Sequence, residues 1–140
     1  MRRCLLFLAL LYPIAAISAT KRALLPSLVY SAKTIYIANR SGYQSTADGA
    51  YDELQKWGRF VVVEDKSKAD LVVTFTHTEA LNGGTTTAGI YEMTVSAASN
   101  DDEVYECSSI GKGFHTPSNR GGVAARDCIG NFRKRVEEPH

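Results

Sequence analysis

The chain has 140 residues, with 16 Lys and Arg against 15 Asp and Glu and an apolar fraction of 44%. That length suits a single domain with a modest core of its own. A nearly balanced charge gives no electrostatic basis for binding nucleic acid or an anionic membrane surface.

The first residues set the compartment. Met1-Arg2-Arg3 is a basic head, and Cys4 to Ala19 (CLLFLALLYPIAAISA) is an apolar run ending in a small residue, the pattern of a signal peptide spanning 1–19. The run contains Pro13 and falls short of the about 20 apolar residues that a membrane span needs. A retained amino-terminal anchor is the alternative. Cys4 lies before the apolar stretch, the wrong end for a lipoprotein cysteine, so the expected product is periplasmic or secreted, not lipidated, with no stable membrane insertion after cleavage. Loss of Arg2 and Arg3 leaves 14 basic side chains against 15 acidic, a net charge of −1. Residues 20–32 read as a linker, 33–136 as one domain and 137–140 as a tail.

Export changes the meaning of the cysteines. Cys107 and Cys128 are the two that remain, and an even count in an oxidising compartment points to one disulfide. Two buried thiols, or a catalytic cysteine, are the competing readings.

In chain order, Lys33 to Ala38 (KTIYIA) is a short β-branched and aromatic strand. After the turn Asn39-Arg40-Ser41-Gly42, Ser45 and Asp48 form an S-x-x-D capping pair. Ala47, Ala50, Tyr51, Leu54 and Trp57 then recur at helical spacing, and Gly58 supplies a left-handed stop. Trp57 reads as the large core residue at the foot of that helix, with ligand stacking as its alternative. Phe60 to Glu64 is a second strand and Asp65 to Lys68 a polar turn.

From Asp70 to Glu79 the period becomes two. Leu71, Val73 and Phe75 face the core, while Val72, Thr74, Thr76 and Thr78 face the other way. Asp70 is expected to accept backbone amides where the strand begins. A Gly/Thr-rich connection, Asn82 to Gly89, leads to the half-buried strand Ile90 to Ala98, in which Tyr91, Met93 and Val95 alternate with Glu92, Thr94 and Ser96. Asn100-Asp101-Asp102 is a turn before the last strand, Glu103 to Ser109. Arg120 to Val136 then places Ala125, Cys128, Ile129, Phe132 and Val136 on one helical face. Tyr105 facing the core brings Cys107 inward as well, where it can meet Cys128.

The fold class is therefore α/β (α+β), a two-layer sandwich in the order β-α-β-β-β-β-α, with a mixed sheet and two helices on one face. The first two strands are expected to be parallel through a right-handed crossover, and the later four to form an antiparallel meander. The Thr/Ser/Glu face is left to water or a partner.

The helix end Leu54-x-x-Trp57-Gly58, then Phe60 to Val63, a charged turn and Ala69-Asp70-Leu71-Val72-Val73, resembles small bacterial envelope proteins of the CsgG-like, LpoB-like and TolB amino-terminal α/β group. The resemblance extends in element order from about Lys33 to Val136. Where such proteins often carry Leu-Trp after a short turn, this chain has Asp101 to Tyr105. The resemblance implies protein contacts within the envelope, and it transfers no catalytic residues.

Candidate chemistry is sparse. His77 and His115 lie in no H-x-x-x-H or C-x-x-C arrangement, so no metal is expected. Gly111-Lys112-Gly113 lacks the earlier glycine of a phosphate loop. Arg120-Gly121-Gly122 at a helix entry is a weak anion-binding signal. No cofactor is expected and the chain is read as a non-enzyme: a protein-binding or accessory module using Thr74, Thr76, Glu92 and Thr94, or the Asn82 to Gly89 loop, with an edge-strand homodimer as a further option. The alternative is a small thiol hydrolase using Cys107 or Cys128 with a histidine.

Overall fold

The computed structural model describes the backbone of residues 23–82, 85–110 and 117–139, with side chains described outside 80–88 and 117–118. Residues 1–19, expected to be a signal peptide, the Gly111-Lys112-Gly113 stretch and His115 lie outside the described residues.

The elements are α1 (Ser27–Ser31), β1 (Thr34–Asn39), α2 (Gln44–Trp57), β2 (Val61–Val63), a 3-10 turn (Lys66–Lys68), β3 (Leu71–Asn82), β4 (Thr85–Ala97), β5 (Glu103–Ser109) and α3 (Pro117–Glu137). They form one five-stranded mixed sheet in the order β2-β1-β3-β4-β5. One face of it is packed by the helices. Ile35, Leu71, Val73, Phe75, Met93 and Val95 from the strands close against Leu54 of α2 and Ile129 and Phe132 of α3, all fully or almost fully buried. The expected linker differs from the outcome: Leu25, Val29 and Ala32 join this core, because an apolar residue at the centre of the single-turn helix α1 finds a place to bury.

β1 and β2 are parallel, as the crossover reading requires. The four-strand meander is not formed. β3 pairs in parallel with the other side of β1, and only β3, β4 and β5 are antiparallel. The reason lies in the β2–β3 link. β2 is three residues long, about 10 Å of strand, so a short link suffices to carry the chain back past it. The Asp65 side chain caps the 3-10 turn by accepting from the Ser67 amide at 2.9 Å. Asp70 then accepts the Lys33 and Thr34 amides at 2.8 and 3.0 Å, and its own amide donates to Thr34 Oγ1 at 2.9 Å. This carboxylate fastens the start of β3 to the start of β1, and these hydrogen bonds hold it below the usual carboxylate range.

The hairpin also differs from the expected loop at Asn82 to Gly89. β3 continues to Asn82 and β4 resumes at Thr85, paired with it, since the threonines of this segment suit a pleated ladder better than a loop.

In α2 the expected capping pair is not made. The helix begins at Gln44 without a side-chain cap, and Asp48 instead accepts from Gln44 Nε2 at 3.0 Å. Tyr51 is 49% exposed. The buried stripe runs through Thr46, Gly49, Ala50 and Leu54, one position round from the face expected. Gly58 closes the helix at φ 68°, its amide bonded to the Leu54 carbonyl. Trp57 packs edge-on against Phe60 and Phe132 at 5.1 and 5.8 Å, and its indole N–H donates to Glu137 Oε1 at 2.8 Å. It therefore fastens the foot of α2 to the end of α3.

The rotation of α2 has a cause in α3. A Cβ at Gly49 would lie 2.4 Å from the Gly122 carbonyl oxygen, and one at Gly122 would lie 2.8 Å from the Ser45 carbonyl oxygen. The two helices touch backbone to backbone. Beyond this crossing, Cys128 of α3 is bonded to Cys107 of β5, with the Cα atoms 5.7 Å apart. A bridge closing a loop of 21 residues contributes about 3 kcal/mol in the chain-entropy model.

Two predictions follow from these contacts. Gly49→Ala is expected to destabilise by about 1–3 kcal/mol despite adding a helix-favouring methyl, while Gly130→Ala, whose Cβ would meet nothing within 4 Å, gains roughly 0.4–1 kcal/mol; urea titration of both variants checks the contrast. Asp70 contributes stability that is present above its unfolded pKa and lost as the pH falls through its lowered folded pKa. The stability gap between wild type and Asp70→Ala should therefore be about 1 kcal/mol at neutral pH and shrink below about pH 3.8. A gap independent of pH would contradict the role given to the carboxylate.

Candidate functional site

With the helices gathered on one side, no helix covers the other face of the sheet among the described residues; Val72 and Ser96 on it are buried by their neighbours, Tyr36, Ala38, Thr74, Thr76 and Thr94 are half-buried and Glu92 is exposed. The strand period of two brings Tyr36 and Ala38 of β1, Val72, Thr74 and Thr76 of β3, and Glu92, Thr94 and Ser96 of β4 to this face. Register aligns them in rows: Tyr36 beside Val72 and Ser96, Ala38 beside Thr74 and Thr94, and Thr76 opposite Glu92. The four positions read from the sequence as a partner surface, Thr74, Thr76, Glu92 and Thr94, are thus neighbours on one face.

A groove of about 580 Å³ runs over its middle, floored by Ala38, Val72 and Thr74. Three charged residues that the sequence pattern did not single out shape it. Lys66, from the β2–β3 link, reaches Asp101, in the β4–β5 turn, at 2.8 Å, and this pair bounds the groove at one end. Asp101 holds a left-handed φ of 58°, a conformation that Asp tolerates better than most side chains, and its amide donates to the Ala97 carbonyl at 2.9 Å. At the other end stands Arg40, just beyond β1. Its backbone amide is held by the Phe75 carbonyl at 2.8 Å, its side chain is exposed, and its guanidinium makes no ion pair among the described residues. Apolar floor, hydroxyl walls and a cation at the rim can seat a segment carrying small apolar side chains and a carboxylate.

The remaining candidates lie under the helices. Cys107 and Cys128 are joined to each other, and Cys128 is 1% exposed. His77 packs between Tyr43 and Tyr91, with ring centroids 5.2 and 4.5 Å away. Tyr91 is buried there, and desolvation, followed by the nearby Tyr43, pushes its phenol above the ordinary value. The Arg120-Gly121-Gly122 anion reading is corrected. α3 starts at Pro117, so the Gly121 and Gly122 amides belong to its second turn and are not free donors. A Cβ at Gly121 would meet Thr46 Oγ1 at 2.3 Å, so α2 fills the space an anion would need. Among the described residues no three His, Cys, Asp or Glu side chains converge as metal ligands.

No protein-family model matches the chain, and no curated protein matches it. Solved structures do. PelC from Paraburkholderia phytofirmans, a dodecamer, aligns at 13% identity over 69% of this chain and 86% of its own, with a TM-score of 0.47. A minor lipoprotein from Acinetobacter baumannii aligns at 14% identity over 74% and 88%, with a TM-score of 0.31. TolB from Acinetobacter baumannii aligns at 12% identity over 76% of this chain, with a TM-score of 0.51, and the chain spans 28% of that protein. The fold is thus similar to part of TolB, a bacterial envelope protein, in keeping with the resemblance carried by Leu54 to Val73.

Proposed function

We propose that this protein is an exported, non-catalytic binding module of the bacterial envelope, which docks a protein partner on the open face of its sheet. The observation that carries the reading is one-sided packing: among the described residues the helices cover one face, and the opposite face holds a groove with Arg40 at its rim, Thr74 in its floor and Thr94 paired beside Thr74. A partner segment with small apolar residues over Tyr36 and Ala38 and a carboxylate toward Arg40 complements it.

The compartment is supported separately. A disulfide belongs to an oxidising environment, the fold is similar to that of an envelope protein, and no helix among the described residues is long and apolar enough to cross a membrane. These fit a periplasmic or secreted protein, and the proposal takes residues 1–19 as its signal peptide, with no lipid attached. The thiol-hydrolase alternative needs a thiolate at Cys107 or Cys128, whereas here each sulfur is bonded to the other.

Photo-crosslinking in the native host tests the reading. A benzophenone side chain at Thr74 or at Thr94 should capture the same single protein, identified by mass spectrometry, and one at Tyr51 on the helical side should not. Adding Arg40→Glu should lower the yield severalfold. Loss of any specific adduct from the sheet face, or the same adducts from Tyr51, would overturn it.

A further inference from the structure

The open face carries more than its groove. Between His77 and Lys112 the sequence contains no Lys, Arg or His, while Glu79, Glu92, Asp101, Asp102, Glu103 and Glu106 all fall there. That stretch runs from the far end of β3 through β4 and β5, so this half of the sheet is acidic by composition. Register decides which carboxylates reach the open face. Glu106 stands opposite Thr94, Glu103 opposite Ser96 and Ser108 opposite Glu92, and residues directly opposite share a face. Glu92, Glu103 and Glu106 therefore lie on the side of Thr74 and Thr94. The alternate residues of β5 turn toward α3: Tyr105 packs on Phe132 at 5.0 Å, Cys107 is bonded to Cys128, and Ser109 Oγ donates to Asp127 at 3.4 Å.

Most other charges around this face are already engaged. Lys66 is paired with Asp101, Asp70 is held by the Lys33 and Thr34 amides, and Asp102 accepts from Asn100 Nδ2. In the β2–β3 link Asp65 caps the 3-10 turn, and Glu64 and Lys68 are of opposite sign. Arg40 on one side, and exposed Glu92, Glu103 and Glu106 on the other, make no ion pair among the described residues. β1 and β4 are two strand spacings apart, about 10 Å, so the free cation and the free carboxylates stand on opposite halves of the face.

A polar group in the floor points to what covers the acidic half. Ser96 is 9% exposed, lies in one row with Tyr36 and Val72, and lines the groove. Its hydroxyl has no hydrogen-bond partner among the described residues, whereas buried polar side chains are nearly always paired. Glu103 stands directly beside it. An ammonium or guanidinium seated between the two donates to both. The carboxylates do not converge on a metal ion among the described residues. A second copy is a poor match, since its own open face offers one unpaired cation, Arg40, against three unpaired carboxylates. We propose that the partner on the open face presents Lys or Arg side chains to Glu92, Glu103 and Glu106, with one cationic head between Ser96 and Glu103. This rests on the open-face reading above and extends the site beyond the groove, onto the β4–β5 half.

Photo-crosslinking in the native host, with the benzophenone at Thr74, tests it. Glu92→Gln, Glu103→Gln and Glu106→Gln together should lower the adduct about tenfold, since each exposed ion pair contributes about twofold, and the three changes to Lys should abolish it. Asp48→Asn, Asp52→Asn and Glu53→Gln on α2, which alter net charge equally, should leave the yield unchanged. Without any of these substitutions, the partner stretch attached to a benzophenone at Thr94, beside Glu106, should contain Lys or Arg when sequenced by mass spectrometry. An undiminished adduct in the glutamine set, or an attached stretch with no Lys or Arg, would overturn the proposal and leave the open-face reading standing. Attachment of Thr94 to a second copy of this chain would overturn it in favour of a dimer. Absence of any adduct from Thr74 would sink both readings.

Discussion

The contact on which the rest of this structure depends is between two backbones. Gly49 of α2 and Gly122 of α3 meet with no room for a Cβ at either position, and this lets both helices lie side by side over one sheet. Helices normally keep axes 8–10 Å apart because side chains stand between them. Removing those side chains at the crossing lets Leu54, Ile129 and Phe132 reach a single core with the strand residues. A wider separation would leave a gap over β1 and β3, where the core is deepest. The bare opposite face is the counterpart of this arrangement, since the helices of the described structure are all committed to one side.

Strand order is governed by a smaller set of bonds. Asp70 brings the beginning of β3 to the beginning of β1, which displaces β2 to the edge and puts β1 between two parallel neighbours. The long β3–β4 hairpin extends the sheet, while Lys66 and Asp101, from two separate turns, meet at one end of the groove. The groove is thus assembled from connections as much as from strands. At the far edge, the disulfide does for β5 what Asp70 does for β3: it fastens a strand end to a neighbouring element.

The parts legible in the sequence were those with a period. The alternation from Leu71 to Phe75 and from Tyr91 to Val95 gave the correct buried face, and the stripe from Ala125 to Val136 gave the inner side of α3. Facing alone brought Cys107 and Cys128 toward one another. The carboxylate of Asp70 was recognisable as an acceptor of amides, although not that those amides belong to β1. What remained hidden has no local signal. A tight polar turn at Asp65 to Lys68 suits a hairpin as well as a crossover, and the choice is made by bonds to residues more than thirty positions away. Gly49 and Gly122 carry no hydrophobicity, so an apolar stripe drawn through Tyr51 missed the true contact face by one position. Arg40, Lys66 and Asp101 sit in three separate turns, and only the fold makes them one groove.

The central claim is that the uncovered face is covered in the cell. Carbene footprinting of the protein in cells of its native host and after purification measures this directly. Labelling of Tyr36, Thr74 and Thr94 should fall severalfold in the cell relative to the purified protein, while Tyr51 on the helical side is labelled equally in both. Equal labelling of the sheet face in the two states would contradict the claim.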